Sequence, residues 1–64
     1  MGVPSAEVIR LIKAAGWVLA RIKGSHHHFK RSGTPGIVTV PHPKKEIPIG
    51  TLKSIEKQSG VKLT

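Results

Sequence analysis

"WVLARIKGSHHHFKRSGTPGIVTVP", residues 17–41, decides the fold, because its apolar residues recur with a period of two rather than with helical spacing. In "WVLARIK" the side chains of Trp17, Leu19 and Arg21 alternate with those of Val18, Ala20 and Ile22, the pattern of a strand. Lys23-Gly24-Ser25 supplies a turn, and "HHHFKR" is long enough for a returning strand. "SGTPG", residues 32–36, is dense in turn residues and reads as a hairpin loop. "IVTV" is the clearest strand of the chain. Pro41 and Pro43 end it, since proline has no N–H to give to a ladder.

Helices flank this stretch. Ser5 reads as a helix cap with Glu7 in the first turn, and Val8, Leu11, Ile12 and Ala15 follow helical spacing up to Gly16. A second helix is expected from about Pro48–Gly50, with Ile49, Leu52 and Ile55 as its apolar stripe and Gly60 as its end. Val61 and Leu63 then fold back on the core. The order is helix, strand, strand, strand, helix. An α+β fold follows, with a three-stranded antiparallel sheet and two helices on one of its faces, leaving the other face wet.

Size and charge narrow the function. Residues 1–64 make one domain, with a core limited by the roughly 60% of surface so short a chain buries. No cysteine is present, which excludes disulfide and thiolate chemistry and suits a reducing compartment. No apolar run reaches the length of a membrane span, so the expectation is a cytoplasmic protein. Eleven Lys and Arg stand against three acids, Glu7, Glu46 and Glu56, for a net charge of +8. A field of that sign on a small body attracts polyanions, and nucleic acid is the commonest of them. A basic face kept only for solubility is the plainer reading, and an acidic protein partner is another.

The histidine run is internal and leads into patterned sequence, so it is not the remnant of an affinity tag. On a strand His26 and His28 point one way and His27 the other, with Phe29, so the three do not form one cluster. A metal site would have to draw on His26, His28 and His42 without cysteine or aspartate, which is a poor ligand set; no metal or other cofactor is expected. Acid–base chemistry on a phosphodiester fits better. Histidine exchanges protons near neutral pH, and RNA brings its own nucleophile in the 2′-hydroxyl. Lys23, Lys30, Arg31, Lys44 and Lys45 flank the histidines or the Pro-His-Pro segment and are candidates to hold phosphate. Their field favours a neutral imidazole. Ser25 and His42 are further candidates for RNA contact, although a serine in a Gly-Ser turn needs no ligand to explain it. Trp17 and Phe29 read as core rather than as stacking platforms.

Gly16-Trp17, Gly24-Ser25-His26-His27, "VTVPHPKKEIP" (38–48) and "GTLKSIEKQSG" (50–60) together resemble the HicA toxins, in order, from Val8 to Val61. The resemblance implies an α-β-β-β-α fold like that of double-stranded-RNA-binding domains. It also implies mRNA cleavage that halts growth when the HicB antitoxin is absent. The family's essential histidine falls on His27, with His26 as the alternative one register away. A non-catalytic RNA-binding domain of the same fold is the competing expectation. It lacks the lysine-rich helix start usual in such binders, since the second helix opens with Pro48-Ile49-Gly50-Thr51 and only Lys53.

Overall fold

The structure is a computed structural model that describes residues 2–64. Its elements run β1 (Gly2–Val3), α1 (Ser5–Ala14), β2 (Val18–Lys23), β3 (His26–Arg31), β4 (Thr34–Pro41), β5 (Ile47–Pro48) and α2 (Ile49–Ser59). Strands β2, β3 and β4 form an antiparallel meander in that spatial order. Both helices pack against β4, and Val8, Ile12, Leu52 and Ile55 meet Trp17, Phe29, Val38, Val40 and Ile47 in one buried cluster. The expected α+β arrangement is therefore present, like that of a double-stranded-RNA-binding domain. A small ribbon is added to it: β1 pairs antiparallel with β5, Val3 opposite Ile47.

Local chemistry explains the helix ends. Helix α1 closes with the Trp17 N–H on the Ile12 carbonyl and the Gly16 N–H on that of Lys13. Gly16 supplies the left-handed residue (φ 98°) this ending requires. Helix α2 ends at Gly60, whose N–H reaches the Glu56 carbonyl. The Glu56 carboxylate then accepts the N–H groups of Leu63 and Thr64. This ties down the tail and sets Val61 and Leu63 against the core, as expected.

Four details of the helices and the β3–β4 hairpin differ from the sequence reading. Ser5 is the first helical residue and not the cap, which falls on Pro4. On α1 the buried positions are Ser5, Val8 and Ile12, while Ala15 lies beyond the helix and is exposed. On α2, Leu52, Ile55 and Ser59 are buried and Ile49 is 54% exposed. The fourth concerns the hairpin: only Ser32 and Gly33 turn, and β4 already starts at Thr34, opposite Arg31. Pro35 and Gly36 are taken up in an irregular stretch where the ladder shifts register between Phe29 and Arg31, a place that tolerates proline.

A second shift of register lies between Leu19 and Arg21. One extra residue in a strand reverses the facing of everything after it. Arg21 therefore sits opposite His28, and Ile22 opposite His27. The alternation read from the sequence holds up to Leu19 and is inverted beyond it. As a result the helix-free face carries Arg21, Lys23, His26, His28 and Lys30, while Ile22 borders His27.

Candidate active site

His27 lies on the helix-covered side of β3, in register with Val40 on one neighbour and Ile22 on the other. It shares that side with Phe29, as strand parity requires. Phe29 and Val40 are fully buried, whereas Ile22 is 55% exposed, so His27 stands where the core gives way to solvent. Its ring is half-buried, and Nδ1 is enclosed with no hydrogen-bond partner among the described residues. Burial lowers the pKa of His27 below the ordinary 6.5, and the positive fields of His42, His28 and Lys13 push the same way.

His42 meets this ring edge to face, with centroids 4.8 Å apart and planes at 84°. Two contacts hold it there. Its backbone N–H donates to the Ser25 carbonyl at 2.8 Å, tying the Pro-His-Pro segment to the turn between β2 and β3. Its Nδ1 is 2.7 Å from the Ser5 hydroxyl oxygen at the start of α1. Ser5 also accepts the Lys44 N–H at 2.9 Å and gives its own backbone N–H to the Lys44 carbonyl at 2.9 Å. Three distant segments, the first turn of α1, the β2–β3 turn and the exit from β4, are thus bolted together around two imidazoles.

The other candidate residues are distributed unevenly. His26 is exposed on the open face, opposite Lys23 and Pro41, and His28 bonds Thr39 Oγ1 through Nδ1 at 2.9 Å. The His26, His28 and His42 set weighed for a metal is therefore split between the two sides of the sheet. Lys23 and Lys30 belong to the open face, and Lys44 and Lys45 are exposed just beyond His42. Ser25 contributes its carbonyl. Arg31 is occupied within the fold: its guanidinium carbon is 4.8 Å from the centre of the Trp17 ring, and it donates to the Ala15 carbonyl and to Thr34 Oγ1.

Ser5 and Lys13 belong to this site and were not among its candidates. Both lie on α1, and only the docking of α1 on the sheet brings them near a histidine on β3. One sequence signal was available for Ser5, a polar residue at a position whose spacing to Val8 and Ile12 marks it as inward-facing.

Comparison with known proteins agrees with this geometry. Residues 5–61 match the family model described as HicA toxin of bacterial toxin–antitoxin. Among solved structures, the chain is similar to one in a HicA3 and HicB3 toxin–antitoxin complex. The two are 33% identical with a TM-score of 0.78, over 97% of this chain and 100% of that one. Comparison with curated proteins gives no match. By a family match over most of its length, on a fold that places His27 and the Pro-His-Pro segment side by side, this chain belongs to the HicA toxins of bacterial toxin–antitoxin systems.

Proposed function

We propose that this toxin is a metal-independent endoribonuclease acting on mRNA in the cytoplasm, with His27 as its acid–base group and a HicB-like protein as its antitoxin. The observation that carries the reading is His27 itself. It is an imidazole at the rim of the core, held neutral by burial and by cationic neighbours, on a chain of net charge +8. A neutral imidazole accepts a proton, and a strongly basic surface gathers the polyanion that carries one to be removed.

In the proposed reaction His27 takes the proton of a ribose 2′-hydroxyl. The freed 2′-oxygen attacks the adjacent phosphorus, the bond from phosphorus to the 5′-oxygen breaks, and that oxygen leaves with a proton from water. The products are a 2′,3′-cyclic phosphate and a 5′-hydroxyl. Lys13, whose field reaches His27, and Lys44 and Lys45, exposed just beyond His42, offset the charge that grows on the phosphoryl oxygens, while Lys23 and Lys30 hold flanking backbone. His26, on the open face, is the weaker candidate for the catalytic base. A HicB-like partner fits the same logic, since covering the His27 face would exclude RNA. The similar chain was solved together with HicB3.

The test is cleavage of end-labelled mRNA in EDTA by the wild type, His27→Ala and His26→Ala. The reading expects cutting by the wild type and by His26→Ala, and loss in His27→Ala. RNA binding without cutting by all three would leave an RNA-binding domain in its place.

A further inference from the structure

Ser5 is 2% exposed, one of two buried polar residues, with Ser59, among the described residues. A hydroxyl has one proton to donate and two lone pairs. One lone pair receives the Lys44 N–H at 2.9 Å. The remaining contact is His42 Nδ1 at 2.7 Å, short enough for a well-formed O–H···N bond. Two proton arrangements satisfy that distance. If His42 carried its proton on Nδ1, it would donate to Ser5, and the buried Ser5 proton would have no acceptor among the described residues. An unsatisfied buried donor is costly. If Ser5 donates instead, every group in the cluster is satisfied: Lys44 to Ser5, Ser5 to His42 Nδ1.

We infer that Ser5 is a positioning residue for this site: its hydroxyl donates to His42 Nδ1 and fixes His42 as the Nε2–H tautomer beside His27. This rests on the ribonuclease reading only for its consequence, not for its geometry. With Nδ1 engaged, His42 meets a substrate through Nε2–H, as a hydrogen-bond donor. That gives the two histidines different tasks. His42 donates to a phosphoryl oxygen, and His27, whose Nδ1 is enclosed with no partner among the described residues, is left to take the 2′-hydroxyl proton through Nε2. A second imidazole free to adopt either tautomer would compete for that proton as often as it helped.

Nitrogen-15 NMR of the histidine rings in the wild-type chain reads the tautomer directly, and Ser5→Ala and Ser5→Thr isolate the hydroxyl. The expected result is a bare Nδ1 and a protonated Nε2 on His42, kept in Ser5→Thr and lost to a tautomer mixture in Ser5→Ala. RNA cleavage by Ser5→Ala should fall about five- to tenfold in kcat with KM little changed, the scale of one oriented hydrogen bond, while Ser5→Thr recovers it. Thermal unfolding of each variant separates this from general loss of structure. A wild-type His42 protonated at Nδ1, or a tautomer unchanged in Ser5→Ala, overturns the assignment. If no variant cuts RNA but the NMR pattern is as expected, the ribonuclease reading fails and the Ser5–His42 assignment stands.

Discussion

His27, near the start of β3, and His42, just past the end of β4, lie at the same end of this antiparallel pair, with their rings 4.8 Å apart and nearly perpendicular. The positive field of His42 opposes a proton on His27, and the enclosed Nδ1 of His27 has no hydrogen-bond partner among the described residues. The pH dependence of the chain follows. Cleavage measured as kcat/KM should rise with pH through the lowered pKa of His27, with its midpoint below 6.5, because the base must be neutral. Stability should change over the same window. In the unfolded chain His27 titrates near 6.5, whereas the folded chain binds that proton only at lower pH. The unfolded state therefore holds more protons between the two values, and stability falls as pH drops from about 6.5 toward the folded pKa. A histidine titration by NMR with thermal melts across this range checks both.

Lys13 is the cation of α1 whose field reaches His27. Lys13→Ala should raise the His27 pKa and shift the pH–rate profile the same way. It should also lower the salt slope of RNA affinity by about 1, the signature of one lost phosphate contact. Lys30→Ala on the open face should leave the His27 pKa where it was.

Arg31 over Trp17 predicts a stability effect rather than a binding one. Arg31→Ala removes a cation–π contact worth about 0.5–2 kcal/mol, together with its bonds to Ala15 and Thr34. The expected outcome is a lower melting temperature with RNA affinity reduced only by the loss of one charge. Trp17→Ala is far more severe. The indole is 2% exposed and donates to the Ser59 carbonyl at 3.2 Å, and loss of a buried aromatic of this size costs about 3–5 kcal/mol. So small a domain should then be largely unfolded, as circular dichroism would show.

Glu56 fastens the C-terminal tail. The N–H groups of Leu63 and Thr64 hold its carboxyl below the usual 4.5. That interaction stabilises the fold above the unfolded pKa and is lost as pH falls through the folded one. Glu56→Ala should speed amide hydrogen exchange at Leu63 and Thr64 at neutral pH and steepen nothing in acid, whereas the wild type shows the same release only as the carboxyl protonates.

Much of this was legible because strand parity is a strong constraint. Pairing His27 with Phe29 on the inner side followed from spacing alone, as did the opposite facing of His26 and His28. What escaped has a common cause, long-range docking. The β1–β5 ribbon joins pairs of residues from distant parts of the chain, too short for any periodicity. The bulge that sends Arg21 outward and Ile22 inward leaves no mark in "WVLARIK". Ser5 satisfies every rule for a helix cap, and only its contact with His42, 37 residues on, shows that its hydroxyl serves another segment. Arg31 reads as one more surface cation until Trp17 is seen beneath it.

The central claim is that His27 removes the proton of a ribose 2′-hydroxyl. The most direct measurement compares cutting of one RNA with that of the same RNA carrying a single 2′-deoxyribose at the cleaved nucleotide, by the wild type and by His27→Ala. The account predicts that the wild type cuts only the all-ribose strand, leaving a 2′,3′-cyclic phosphate, and that His27→Ala cuts neither. Cutting at the 2′-deoxy position, or undiminished cutting by His27→Ala, would contradict it.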